Sequence, residues 1–101
     1  MVKYAGGSGE SIEAAIIILD AKNHAEGVRA EYEYLEGKFG KRGEDWRLKL
    51  QELVEDGGKH YDLLDIIFTD GTEKSIYFDI SAFFMYAFFD GPVIGRRSSQ
   101  E

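Results

Sequence analysis

Two histidines are the side chains of this sequence best suited to acid–base chemistry near neutral pH. His24 has Glu26 nearby in the chain and His60 has Asp62, so each histidine has a neighbouring carboxylate. General acid–base catalysis also needs a group that positions the transferred proton, and the spacing supplies no third partner. We therefore interpret both histidines as surface side chains and predict no catalytic residue.

Carboxylates and glycines suggest two other kinds of site, and neither pattern is complete. Oxygen ligands for a hard cation would come from Asp62, Asp65, Asp79 and Asp90, which lie on different predicted strands and do not follow the EF-hand spacing. The glycine-rich stretch 6–9 lacks the lysine of a phosphate-binding loop, and Glu10 would repel a phosphate. We therefore predict no metal site and no cofactor.

Composition excludes several further classes of protein. The chain has 101 residues and no cysteine, which removes disulfide scaffolds, thiolate zinc sites and cysteine nucleophiles. Its net charge of −7 would repel a nucleic-acid backbone. The longest apolar run, 82–89, is far shorter than the roughly 20 residues of a membrane-spanning helix, and no apolar run of the kind found in secretory signals precedes residue 16. We expect a cytoplasmic protein without nucleic-acid or membrane partners.

Positive charge is concentrated in one segment, the basic patch Lys38, Lys41, Arg42, Arg47 and Lys49. The plainer interpretation is that these cations complement the negative end of a helix dipole and balance nearby acidic strands. The alternative is a docking patch for an acidic partner or a phosphate-bearing ligand, with Phe39 and Trp46 as apolar anchors.

Bulky apolar side chains crowd the segment 82–89, which is apolar on every side whether it forms a helix or a strand. The segment can cap the core of the domain, form a protein interface or touch a membrane surface, in that order of preference. We expect at least two members of this aromatic segment to stay on the surface and bind a protein partner or a second copy, the candidates being Phe83, Phe84, Met85, Phe88 and Phe89.

A helix over residues 24–39 is the clearest element that would position these groups. Asn23 is suited to cap its first turn, with Glu26 three residues later, and Gly40 is suited to end it. Apolar residues then recur at spacings of three and four, predicting that one face is buried: Val28, Tyr32, Leu35 and Phe39. Before the helix, the run 14–19 favours a buried strand over a helix from Ser11 to Lys22, because consecutive isoleucines lose side-chain freedom in a helix.

Three further strands follow the helix. Trp46, Leu48 and Leu50 alternate with polar residues, and the runs 61–69 and 74–80 also alternate. A three-residue loop over 69–71, with Gly71 left-handed, keeps the apolar side chains of the last two strands on one face by pairing Leu64 with Ile76.

The predicted fold is α+β: one amphipathic helix packed on a four-stranded antiparallel sheet, in the order strand–helix–strand–strand–strand, followed by a short apolar element. This order resembles the cystatin-like arrangement, although residues 51–55 read Gln-Glu-Leu-Val-Glu in place of the protease-binding Gln-x-Val-x-Gly motif. We expect a flexible arm at 1–10, one domain over 11–95 and a disordered tail at 96–101.

These patterns favour a small acidic, non-enzymatic module that binds another protein, as an adaptor, a regulator or an inhibitor such as an immunity or anti-defence protein. The alternative is a ligand-binding or enzymatic domain with a pocket between helix and sheet. That pocket would be lined by aromatic side chains, namely Tyr32, Tyr34, Trp46 and Tyr61.

Overall fold

The computed structural model describes residues 2–85 of the chain. Within this range the chain forms five strands and two helices. In chain order they are β1 (Lys3–Gly6), β2 (Ile16–Leu19), α1 (His24–Phe39), β3 (Trp46–Asp56), β4 (Lys59–Phe68), β5 (Glu73–Asp79) and α2 (Ser81–Phe84).

The strands form one five-stranded mixed sheet in the order β1-β2-β5-β4-β3. Neighbouring strands are antiparallel except β2 and β5, which are parallel. The α+β class is confirmed, whereas the predicted four-stranded antiparallel sheet with cystatin-like order is wrong. The parallel pair arises because α1 carries the chain back along the sheet, so that β3 runs in the same direction as β2. β4 then runs in the opposite direction, and β5 runs again in the direction of β2.

The additional strand comes from the segment that we expected to be a flexible arm. Residues Lys3–Gly6 pair along the whole of β2, and the Gly9 carbonyl then accepts a hydrogen bond of 2.7 Å from the backbone N–H of Tyr77. Gly9 has a φ of 88° and lies so close to Ile16 and Ile76 that an added Cβ would approach both within 2.8 Å. The glycines therefore allow tight turns and close packing there, a role that their composition alone does not distinguish from flexibility.

Helix α1 has the predicted bounds and the predicted cap. The Asn23 side chain accepts a hydrogen bond of 2.8 Å from the backbone N–H of Glu26, and Gly40 donates to the Glu36 carbonyl at the other end. Leu35 is fully buried as predicted. The most buried line of the helix, however, runs through Gly27, Ala30 and Glu31, while the other three predicted face residues, Val28, Tyr32 and Phe39, are half-buried.

The register of the last two strands is as predicted. Leu64 lies opposite Ile76 and Ile66 lies opposite Lys74. Residues 69–71 form the three-residue loop, with Gly71 at a φ of 89° and a hydrogen bond of 2.8 Å from the Phe68 N–H to the Thr72 carbonyl. The apolar pattern and the turn geometry agree here, which leaves a single register that buries the apolar set.

Both described helices lie on the same face of the sheet. Phe83 of α2 packs against Gly27 of α1, and both helices contribute to one apolar core with the strands. Its largest members are Trp46, Phe78, Phe83, Ile16, Ile18, Leu35, Leu64, Ile66 and Ile76. We call the sheet face that these helices cover the inner face and the opposite face the outer face.

The contact between Gly27 and Phe83 gives the first testable prediction. A Cβ at position 27 would lie 2.5 Å from the buried Phe83 ring, whereas one at position 37 of the same helix would meet nothing within 4 Å. Gly37→Ala should therefore raise the free energy of unfolding by about 0.5–1 kcal/mol, the usual gain in a helix. Gly27→Ala should lower it by roughly 1–2 kcal/mol, because overpacking outweighs that gain.

Urea denaturation of the two variants measures the difference directly, since both make the same chemical change in one helix. Equal stabilisation by the two alanines would show that the Phe83 ring does not limit how closely α1 approaches it.

Candidate functional site

A buried acidic pair lies between α1 and the sheet. Glu31 of α1 is 0% exposed, and neither of its carboxylate oxygens receives a hydrogen bond from a donor in the described part of the chain. Asp62 of β4 is 7% exposed and lies on the same face of its strand as Leu64 and Ile66, which brings it to the helix. The pair therefore places two carboxyl groups in the least hydrated layer of the fold.

Two ionised carboxylates cannot share such a place, because each accepts hydrogen bonds and neither donates one. Burial is the largest cause of a raised pKa at Glu31; together with the hydrogen bond to Asp62 and the negative charge of Asp62, it raises that pKa to about 11. A proton on Glu31 resolves the conflict, since the neutral acid can donate to the Asp62 carboxylate. Glu31 is thus the neutral member of the pair at pH 7.

Polar neighbours surround this pair on the side of β3. The Tyr32 hydroxyl donates a hydrogen bond of 3.3 Å to the Gln51 side-chain oxygen, and the Arg42 guanidinium lies 4.3 Å from the centre of the Tyr32 ring. Burial raises the pKa of Tyr32, with Arg42 opposing the shift and the two acids reinforcing it. Glu31 and Asp62 therefore interact electrostatically with Tyr32, which contacts the exposed side chains of Gln51 and Arg42.

His60 has a different carboxylate partner from the one that the sequence suggested. Strand pairing places Glu55 opposite His60, and its Oε2 lies 3.3 Å from His60 Nε2. The imidazole also stacks on the Phe84 ring at 3.8 Å between centres, and it is half-buried. His24 is half-buried as well, with its ring edge towards Phe83 at 5.8 Å. Each histidine therefore contacts an aromatic side chain of α2.

The four aromatic residues of the predicted pocket lie at separate places. Trp46 is in the core on the inner face, where its indole N–H donates to the Gly40 carbonyl, while Tyr61 belongs to the outer face of β4. Tyr34 packs beside Tyr4 and Phe78. The space between α1 and the sheet is filled by the core and the acidic pair, so these four side chains do not line one cavity.

The basic patch is engaged locally at four of its five positions. Lys41 pairs with Glu44 at 3.3 Å and Lys49 with Glu73 at 2.8 Å. Lys38 lies 5.8 Å from the centre of the Tyr34 ring, and Arg42 lies over Tyr32. Arg47 is exposed at the start of β3. Two of the five cations are thus paired with acidic side chains, and docking of an acidic partner on this patch stays a prediction.

The aromatic segment begins in the core. Phe83 is fully buried, Phe84 stacks on His60, and Met85 is exposed. Phe88 and Phe89 lie outside the described residues, so the number of exposed side chains in this segment stays a prediction.

The three described aspartates of the predicted set do not meet. Asp62 faces Glu31, Asp65 accepts a hydrogen bond from the Ser75 hydroxyl, and Asp79 accepts from the backbone N–H of Ser81. Asp90 lies outside the described residues. Within residues 2–85, no three acidic or histidine side chains are grouped so that they could hold a metal ion.

The residue that sequence reasoning missed is Glu31. The signal that could have found it is its spacing, because Gly27, Glu31 and Leu35 recur every four residues on one helix face. Full burial also limits its chemistry: a substrate cannot reach a carboxyl group without solvent exposure, so the pair acts on the fold rather than on a bound molecule.

No known protein family, no curated protein and no solved structure matches this chain significantly. In the described range, no helix combines the length and the hydropathy needed to cross a membrane.

The buried proton predicts how stability depends on pH. Because the pKa of Glu31 is raised from 4.5 in the unfolded chain to about 11 in the fold, the folded state holds one more proton than the unfolded state across this interval. Stability should therefore be greatest below pH 4.5 as far as this group is concerned, and should fall as pH rises towards 11. Keeping Glu31 protonated at pH 7 costs about 3 kcal/mol.

Glu31→Gln should remove that cost, because an amide can donate to Asp62 without taking up a proton. We expect the variant to be more stable at pH 7 by up to about 3 kcal/mol, with the gain growing at pH 9 and vanishing near pH 4. Urea denaturation across this pH range checks the prediction, with Glu33→Gln on the exposed side of α1 as the matched control. A constant difference between the wild type and Glu31→Gln at all pH values would mean that Glu31 is ionised in the fold.

Proposed function

We propose that this chain is a small acidic, non-enzymatic module that binds another protein through the outer face of its sheet. The observation that carries the proposal is that both described helices lie on the inner face. The outer face is thereby left without a helix over it in the described part of the chain. A sheet face that carries apolar side chains without a covering layer is a common interaction surface.

The centre of the outer face is apolar. Leu63 and Tyr77 lie directly opposite each other on β4 and β5, with Ile67 further along β4 and Ile17 on the neighbouring β2. All four are half-buried, whereas Tyr61 and Asp79, paired at one end of the same face, are buried. A partner that covers these side chains would remove apolar surface from water on both sides of the Asp65–Ser75 pair.

Acidic side chains lie among and beside these apolar residues, and Arg47 lies opposite Ile67 on the same face. Glu52 pairs across the strands with Leu63, Asp65 with Ser75, and Glu73 with Ile67, so all three belong to the outer face. Together with the net charge of −7, they favour a partner that has an apolar centre and a basic rim. An adaptor, a regulator or an inhibitor of a basic protein would fit this surface.

The alternative, a ligand-binding or enzymatic domain with a pocket between helix and sheet, has less support. The polar groups in that layer are Glu31 and Asp62, which are buried, and the proposed lining residues are apart. An enzyme would require α1 to move away from the sheet before a substrate could reach either acid.

Substitutions on the outer face test the proposal. Leu63→Lys and Ile67→Lys place positive charge on the apolar centre, and Ala25→Lys makes a comparable change on the exposed side of α1. A partner captured from the source cells should be purified and titrated with each variant. We expect Leu63→Lys and Ile67→Lys to raise its dissociation constant at least about tenfold, and Ala25→Lys to leave it unchanged.

Binding should also weaken as salt is added, because the acidic rim steers a basic partner. A partner that binds all three variants equally well would place the interface elsewhere on the chain. Far-ultraviolet circular dichroism of each variant separates loss of binding from loss of folding.

A further inference from the structure

Strand β3 forms an edge of the sheet and is its longest strand, at 11 residues. On the side of β3 that faces away from β4, the described residues form a single bridge, between Arg42 and Trp46, so this edge is free from Arg47 onward. Leu50 and Leu53 are 50% and 56% exposed on this edge. A free edge of this length presents unpaired backbone groups that can bind another strand.

The charges of β3 are separated along its length. Arg47 and Lys49 occupy the first half, and Glu52, Glu55 and Asp56 occupy the second. Lys49 pairs with Glu73 and Glu55 with His60, whereas Arg47, Glu52 and Asp56 form no ion pair with another described residue. The free edge thus has one unpaired cation near its start and two unpaired anions near its end.

A bulge decides which of these side chains share a face. Leu48 pairs with Ile66 and Leu50 with Asp65, so Lys49 is the extra residue. The outer face of β3 therefore carries Arg47 before the bulge and Leu50, Glu52, Val54 and Asp56 after it. Leu48 and Leu53 belong to the inner face by the same pairing.

We infer that β3 pairs antiparallel with β3 of a second copy of this chain, about a two-fold axis at Gln51, joining the two sheets into one. In this register Leu48 faces Leu53 of the second copy on the inner side, which covers the exposed Leu53. Arg47 lies opposite Val54 of the second copy and diagonally beside its Glu52 and Asp56, within reach of both carboxylates. Because Lys49 is an extra residue in each strand, Leu48 and Arg47 each pair with a residue one position earlier in the second copy than in a regular ladder about Gln51.

Charge selects this register and this orientation. A two-fold axis at Glu52 would place two glutamates directly opposite each other, which is unfavourable. Parallel pairing would bring the two basic halves together and the two acidic halves together. Charges and a bulge on an edge strand usually discourage pairing with foreign strands, but here the same features are complementary to a second copy.

Sedimentation equilibrium of the full chain at low salt, from micromolar to millimolar concentration, tests this inference. We expect a reversible dimer that Arg47→Glu and Glu52→Arg each weaken by about tenfold, because each change places like charges side by side twice per dimer. An equimolar mixture of the two variants should recover the wild-type affinity. In the mixed pair, the two introduced side chains are of opposite charge and lie beside each other, and the native Arg47 of one chain lies beside the native Glu52 of the other.

Arg29→Glu and Glu33→Arg, on the exposed side of α1, serve as matched charge reversals that should leave the dimer unchanged. A chain that stays monomeric at all concentrations overturns the inference, as does a dimer indifferent to the β3 reversals. Failure of the mixture to recover affinity overturns the antiparallel register. Leu63 and Ile67 lie directly opposite Glu52 and Arg47, so the independent variant is Ile17→Lys on the outer face of β2, three strands from β3. Ile17→Lys should leave the dimer intact and weaken binding of the proposed partner, so the two tests fail independently.

Discussion

The packing of α1 into the inner-face core is the constraint on which the rest of this structure depends. Gly27 has no side chain on the buried helix face, which lets the Phe83 ring come close to the helix backbone, and Ala30 on the same helix is also buried. The same packing removes Glu31 from water. Because the fold cannot hydrate that carboxyl group, burial and the neighbouring Asp62 raise its pKa and favour its neutral form.

Placing both described helices on one face has a consequence for function. The inner face becomes the apolar core, and within the described residues no helix covers the outer face and no further strand pairs with β3 from Arg47 onward. The two surfaces differ in chemistry. The outer face is an apolar area with acidic neighbours, which suits a basic partner, whereas β3 separates its charges and so suits a second copy of itself.

Much of the fold could be predicted from local patterns. The α1 bounds, the Asn23 cap and the β4–β5 register all depend on residues close together in the chain, whose spacing and turn chemistry point to one answer. The site could not be predicted in the same way. Glu55 becomes the partner of His60 through strand pairing, and Asp62 meets Glu31 through packing between elements far apart in the sequence, so neither contact has a local signal.

By itself, the sequence determined the α+β class, the position of α1 and the three-strand meander, because periodicity and caps act within a few residues. Tertiary structure alone decided that Lys3–Gly6 joins the sheet, that β2 pairs parallel with β5 and that α1 turns Glu31 inward. These three features depend on which surfaces meet and how closely. Lys3–Gly6 has weak strand propensity and forms a strand because it hydrogen-bonds to the backbone of β2. Glu31 becomes buried because the small residues Gly27 and Ala30 on the same helix allow close packing.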